Sequence, residues 1–332
     1  MILGIGGEGA YRLIRKLKSI SLLLREFSQL TNHLFPDRSQ NNFKVLTWYL
    51  YFALKSETRT ALKLRWDTTS EKSYVWDNFN KWIRFQINFI DPRYWAKSPV
   101  IISVSGGHNQ VFWKDVCNSK GISPDNHRTL YDLATRYSEM FLGFKAMDFF
   151  YSLSGQRIAL EFARLKYQSE SIRSALNNIV EIGPGFGGLS SSVLLSDRVT
   201  YTGIDTPEMS EIFKVIVSNL FLKNGNIRVI QNDILAIESL ENELQSVNFS
   251  VFGQWSFSEI PINLRENYFR LIAHSRISLF SSNAKMNDID NFLFFEDLSV
   301  KLSKSLEILS IQDVLGDYLP SYLAKHQVFI LT

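Results

Sequence analysis

The stretch Glu181-Ile182-Gly183-Pro184-Gly185-Phe186-Gly187-Gly188 decides the fold. The apolar run Ile179-Val180 precedes it and the small-residue run Leu189-Ser190-Ser191-Ser192-Val193 follows. A strand, a tight turn and a helix (expected from Gly187 to Asp197) therefore meet here, the context a nucleotide-binding loop needs. Glycines permit such a turn and let a ligand approach the backbone. Downstream, strands are predicted over Val199 to Asp205, Asn226 to Asn232, Phe249 to Gly253 and Ile277 to Ser282. Helices are predicted between them over Pro207 to Leu222, Leu235 to Leu244 and Ile262 to His274, the first opened by proline. Leu306 to Ile311 and Val328 to Leu331 read as two closing strands. Strands alternating with helices imply βαβ units and a parallel sheet. Right-handed crossovers then place the early carboxyl ends along one edge, where ligands bind.

The glycine spacing fits two ligands. Gly183, Gly185 and Gly188 satisfy G-x-G-x-x-G, the dinucleotide pattern, while Glu181, Gly183, Gly185 and Gly187 satisfy the E-x-G-x-G-x-G of S-adenosylmethionine enzymes. Charge favours the second. A dinucleotide brings an anionic pyrophosphate to the loop, whereas S-adenosylmethionine brings a sulfonium and an ammonium. Glu181 repels the first and attracts the second. Asp205, about 20 residues past the loop, stands where a carboxylate accepts from ribose hydroxyls. Asp233 ends the third strand and suits the adenine amino group, with Ile234 beside the ring; capping the next helix explains Asp233 equally well.

The first half has another texture. Residues 1–170 read as mainly helical and hold six of the seven tryptophans, Trp48, Trp66, Trp76, Trp82, Trp95 and Trp113. Gly106-Gly107-His108-Asn109 marks a turn. Helix is expected after Pro124, with breaks through Phe149, and again from Gly155 to about Leu176. The expected division is a helical domain over 1–170, with a lid, acceptor or oligomerisation role, and an α/β domain over 171–332. In the 332 residues, 45% are hydrophobic and 21% charged, as in soluble globular proteins. A net charge of +3 gives no global pull toward nucleic acid or an anionic membrane. The single cysteine, Cys117, excludes an intrachain disulfide framework and suits a reducing compartment, hence a cytoplasmic expectation. Neither a secretory signal nor a membrane-spanning run is seen. Tyr11 to Phe27 is a basic amphipathic segment that surface packing explains and that also suits docking on a membrane surface or partner.

At the loop and beyond, the chain resembles the class I S-adenosylmethionine-dependent methyltransferases, and more narrowly the sugar O-methyltransferases of bacterial surface-glycan gene clusters. That family's V-L-E-I-G-x-G-x-G-G-like loop is matched by Val180 to Gly188, and its Y-x-x-I-D-L-P-E by Tyr201-Thr202-Gly203-Ile204-Asp205-Thr206-Pro207-Glu208. Its S-F-S-E-M, after the fourth strand, is matched by Ser256-Phe257-Ser258-Glu259-Ile260. Thr206 replaces leucine and Ile260 replaces methionine. The resemblance spans about residues 175 to 285. It implies a Rossmann-like seven-stranded methyltransferase core, S-adenosylmethionine as donor and a sugar hydroxyl as acceptor in glycan biosynthesis. The expected cofactor-binding set is Glu181, Gly183, Gly185, Phe186, Gly187, Asp205, Thr206, Asp233 and Ile234.

Methyl transfer to oxygen is an in-line displacement, so acceptor oxygen, methyl and sulfur must be aligned. A sugar hydroxyl is a weak acid and calls for a general base. Glu259, just past the fourth strand, faces the donor side and leads the candidates; stabilising a helix N-terminus is its structural alternative. His108 is a second, weaker candidate. His274 falls at the far edge, and Asn283 returns to the ligand edge but suits a turn. No metal-ligand spacing is present. A nicotinamide-dependent oxidoreductase and a non-catalytic nucleotide-binding scaffold are the competing functions; the first lacks a catalytic Tyr-x-x-x-Lys.

Overall fold

The computed structural model describes residues 51, 83–87, 89–98, 124–141, 145–193, 199–220, 227–254, 256–286, 289–315 and 326–332. The amphipathic segment 11–27, the turn carrying His108, Cys117 and all tryptophans except Trp95 lie outside the described residues. The chain divides into two compact units, Met1–Ile101 and Ile102–Thr332. In the first, residues 83–87 are helical and a 3-10 helix spans Pro92–Lys97. Asp91 caps that helix by accepting from Arg93 N, and buried Trp95 donates through Nε1 to Ile90 O at 2.8 Å. Trp95 is thus a core residue.

The second unit opens with helices α1 (Pro124–Met140), α2 (Ala146–Lys166) and α3 (Glu170–Ala175). The helix expected to start at Gly155 begins nine residues earlier, at Ala146, and passes through that glycine. A helical glycine costs about 1 kcal/mol relative to alanine. Burial of Phe149, Phe150, Leu153, Ile158 and Leu160 along α2 outweighs it. The helix stops short of Leu176, because Ser169 caps α3 by accepting from Ile172 N at 3.3 Å.

Beyond them lie β1 (Asn178–Ile182), α4 (Gly188–Val193), β2 (Thr200–Asp205), α5 (Pro207–Leu220), β3 (Ile227–Gln231), α6 (Ile234–Leu244) and β4 (Ser250–Gln254). The chain continues with α7 (Ser256–Glu259), α8 (Ile262–Arg265), α9 (Phe269–His274) and β5 (Ile277–Asn283). A small hairpin, β6 (Lys285–Met286) and β7 (Ile289–Asp290), leads to α10 (Asn291–Leu302), β8 (Leu306–Ser310), α11 (Ile311–Leu315) and β9 (His326–Leu331). The seven-stranded order is β3-β2-β1-β4-β5-β9-β8. β1 to β5 run parallel, and β9 is antiparallel to both β5 and β8. This is the Rossmann-like α/β sheet expected from the sequence. Every described element before it is helical.

Alternation along the strands builds two cores. One face carries Val180, Ile182, Ile204 and Val251 against α6, α9 and α10, with Phe257, Phe280, Phe295 and Phe329 filling the layer. The other carries Ile179, Glu181, Tyr201, Gly203 and Asp205, because Ile179 pairs with Tyr201 and Glu181 with Gly203. There Tyr201 stacks on Phe213 of α5 at 6.2 Å. The helix expected over Ile262 to His274 is divided by a 3-10 turn, Glu266–Tyr268. The tighter i, i+3 winding brings Arg265 and Tyr268 onto one side, and both are buried.

Candidate functional site

The strand order reverses between β1 and β4, and the crevice at their carboxyl ends is where open α/β sheets take ligands. The β1 turn occupies that position. Gly183, Gly185 and Gly187 have φ of 72°, 58° and 90°, a region L side chains avoid. At Gly183 a Cβ would also overlap Ser256, whose hydroxyl donates to Ile182 O and ties α7 to the end of β1. Among the described residues no atom lies within 4 Å of the Gly185 Cβ position, so nothing described closes the turn at its apex. Gly183 N donates to Ile204 O at 2.8 Å and Gly187 N to Pro184 O at 2.9 Å, closing the turn on itself and on β2.

Two carboxyls stand beside this turn. Glu181 is buried and accepts from the Tyr201 hydroxyl across β1 and β2. Burial pushes its pKa up to about 8, aided by nearby Asp205 and opposed by the Tyr201 hydrogen bond. Asp205 accepts from Gly185 N at 2.9 Å through one oxygen and from Thr206 N at 2.7 Å through the other. Desolvation nevertheless raises its pKa to about 7, and Glu208 adds to the rise. Among the described residues no Lys, Arg or His pairs with either carboxyl. Each oxygen of an ionised carboxylate has two lone pairs, so Asp205 keeps acceptor capacity for hydroxyls arriving at the turn.

The remaining expected cofactor residues separate into three environments. Thr206 Oγ1 accepts from Met209 N at 3.3 Å and caps α5. Asp233 is exposed and caps α6 by accepting from Ala236 N at 2.8 Å, while Ile234 beside it is 53% exposed. Both are at the carboxyl edge, since Asn232 N donates to Asp205 O. Phe186 turns away from that edge. Its ring enters an aromatic cluster, 5.9 Å from Tyr137 and 6.1 Å from Phe141, both edge-on. The Tyr137 hydroxyl donates to Gly187 O at 3.2 Å and lies 2.5 Å from Ser191 Oγ, so α1 holds the far end of the turn.

Past the carboxyl end of β4, Glu259 is half-buried at the end of α7. Arg265, fully buried, donates to the carbonyls on either side of it, Ser258 O at 2.6 Å and Ile260 O at 2.9 Å, and to Asn291 Oδ1 at 3.1 Å. Its guanidinium also lies 4.5 Å from the Phe294 ring centroid. Asn291 Nδ2 donates to Asn283 O at 2.8 Å, so one network joins the turns after β4 and β5. His274 is at the opposite edge, as expected, 3.3 Å from Glu241. His108 lies outside the described residues.

Four participants escaped sequence reading. Tyr201 and Arg265 act through register and burial, which one sequence does not display. Asn291 belongs to a helix announced only by Asp290, which caps it by accepting from Phe292 N and Leu293 N. His326 reaches the carboxyl edge because β9 runs antiparallel and its first residue pairs with Asn283. Burial lowers the His326 pKa and keeps the imidazole neutral at neutral pH. Its signal was the extension of β9 two residues ahead of Val328. Among the described residues no group of three His, Cys, Asp or Glu could hold a metal, and no helix is long and apolar enough to cross a membrane.

The strand order and the parallel run of β1 to β5 place the chain in the class of Rossmann-like α/β domains, a class that takes ligands at the carboxyl-edge switch point. No protein-family model and no curated protein matches the chain. Among solved structures it is similar to the methyltransferase domain of bacterial CtHen1 (TM-score 0.41, 13% identity, covering 54% of this chain and 99% of that one). It is also similar to Aeropyrum pernix fibrillarin with natively bound S-adenosyl-L-methionine (TM-score 0.37, 11% identity, 54% and 76%). A third is the precorrin-6y C5,15-methyltransferase from Geobacter metallireducens (TM-score 0.35, 13% identity, 53% and 86%). Likenesses this distant add nothing to what the strand order itself establishes.

Proposed function

We propose that the chain is an S-adenosylmethionine-dependent O-methyltransferase that methylates a sugar hydroxyl in surface-glycan biosynthesis. The observation that carries the donor is the buried Glu181 beside the half-buried Asp205, neither paired with a cation among the described residues, at a glycine turn with open space at the Gly185 Cβ position among the described residues. A sulfonium with an ammonium favours the ionised form of both groups, whereas a pyrophosphate would hold them protonated or repel them once ionised. The residues present fit that donor. Glu181 and the Gly183–Gly187 backbone would receive its amino-acid and sulfonium end, Asp205 its ribose hydroxyls, and Asp233 with exposed Ile234 its adenine.

Bound there, the donor supplies an electrophilic methyl group. The chain's own residues do the rest. Glu259, held after β4 by the Arg265 contacts to its neighbours' carbonyls, takes the proton from the acceptor hydroxyl. The crossing ties from Ser256 to Ile182 and from Asn291 to Asn283 keep the acceptor side aligned with the donor turn. The sugar as acceptor rests on the Tyr201–Glu208 and Ser256–Ile260 blocks. In this reading residues 171–332 bind the donor, and residues 1–170 serve as a lid, an acceptor-binding region or an oligomerisation surface.

Calorimetry with S-adenosylmethionine and separately with NAD tests the donor. Binding of the first and not the second is expected; the reverse refutes the reading. Transfer of a labelled methyl group from the donor into glycan fractions tests the acceptor, and label appearing only in RNA or protein would overturn the sugar assignment.

A further inference from the structure

Glu181 does not stand alone on its face of the sheet. Its Oε2 accepts from the Tyr201 hydroxyl, and Tyr201 is itself fully buried, stacked on Phe213. Tyr201 is diagonal to Glu181 across β1 and β2, because Glu181 pairs directly with Gly203. That glycine matters, since a Cβ there would come within 2.7 Å of Pro184 Cγ. Among the described residues, the ionisable groups around the pair are Asp205 on β2 and Tyr137 on α1, with Glu208 and Tyr268 further out beside Asp205. None of them is a cation. The phenol is thus the one described side-chain donor given to this carboxyl, and a phenol donates most strongly to an ionised acceptor.

We propose that Tyr201 is a positioning residue for donor recognition: its hydroxyl aims the Glu181 carboxyl and favours the ionised form that a sulfonium requires. The inference rests on the donor assignment above and deepens it. The carboxyl is poised to lose its proton when a cation arrives, and the Tyr201 hydroxyl stabilises the charge left behind. Without that hydroxyl the carboxyl would stay protonated to higher pH, and the cationic donor would lose its counter-charge. S-adenosylhomocysteine, whose sulfur is neutral, would feel the change less.

The test is calorimetry of Tyr201→Phe, Glu181→Gln and the double variant with S-adenosylmethionine and S-adenosylhomocysteine from pH 6 to 9. Tyr201→Phe is expected to weaken S-adenosylmethionine about tenfold at pH 7 and S-adenosylhomocysteine less than threefold, with the gap closing by pH 9. In the Glu181→Gln background the same substitution should have no further effect on the ratio. Equal losses for both ligands at every pH, or an unchanged pH profile, would overturn the proposal and leave the donor assignment intact. A wild-type protein that binds neither ligand would overturn both. Carboxyl-labelled glutamate followed by NMR in the wild type keeps the idea open to refutation should Tyr201→Phe not fold: the Glu181 titration must move to lower pH on adding S-adenosylmethionine, and an unmoved titration rejects it.

Discussion

Glu181 links the proposed donor site to the stability of the whole domain, and the link has a definite sign. Folded, the carboxyl keeps its proton up to about pH 8; unfolded, it releases it near the ordinary value of 4.5. Between those limits the unfolded chain binds fewer protons than the folded one, so stability falls as pH rises. The contribution is complete below the unfolded value and is lost as pH passes the folded one. At about 1.4 kcal/mol per unit of separation, the loss between pH 5 and pH 9 is on the order of 4 kcal/mol. Asp205, raised from 3.8 to about 7, adds a loss of the same sign at lower pH. Glu181→Gln keeps an oxygen to accept from Tyr201 and carries no charge. Urea denaturation followed by circular dichroism at pH 5 to 9 should therefore show a shallower decline in the variant, with the difference from wild type reaching about 4 kcal/mol. Saturating S-adenosylmethionine should flatten the wild-type decline, since a cation offsets the ionised carboxyl. Parallel stability curves for wild type and variant would refute the account of Glu181 as a desolvated, uncompensated acid.

Other substitutions probe the remaining parts. Gly183→Ala should destabilise by roughly 2 kcal/mol or more, because a positive φ and a collision with Ser256 coincide; a variant of wild-type stability would mean that the turn relaxes freely. Glu259→Ala should lower methyl transfer into glycan fractions by about 100-fold or more while donor affinity stays within a factor of three; normal turnover removes it as the base. Phe186→Ala should cost about 3–5 kcal/mol in unfolding free energy, by emptying the Tyr137–Phe141 cluster, and a negligible cost would contradict its burial. If His326, which pairs with Asn283 at the carboxyl edge, meets the acceptor, His326→Gln should raise KM for the acceptor and leave donor affinity unchanged; an unaltered KM excludes that contact.

The parallel sheet was readable because its strands are short apolar runs separated by helices of regular length, and the glycine turn marks where β1 ends. Strands β8 and β9 were also readable, although β9 begins at His326 and not at Val328, because polar His326 and Gln327 hide the start of the strand. Helix α10 was missed since aromatic residues at 292, 294 and 295 break any simple helical stripe. The acids of the site could be placed at strand ends from spacing alone. Their protonation could not, because it depends on which residues cover them. Glu181 was expected as a charge beside the loop; the structure places it under the loop, desolvated and hydrogen-bonded to a tyrosine 20 positions away. Phe186 illustrates the same limit, since position within the loop says nothing about which way its ring turns.

That ring has a practical consequence. Phe186 belongs to the same turn that would receive the donor, yet its packing partners Tyr137 and Phe141 come from α1, and Phe149 of α2 lies 5.3 Å from Phe141. A shortened protein beginning just before β1 would leave this aromatic knot half-exposed and the glycine bend unsupported from below. Expression trials seeking a minimal ligand-binding fragment should therefore start upstream of Pro124.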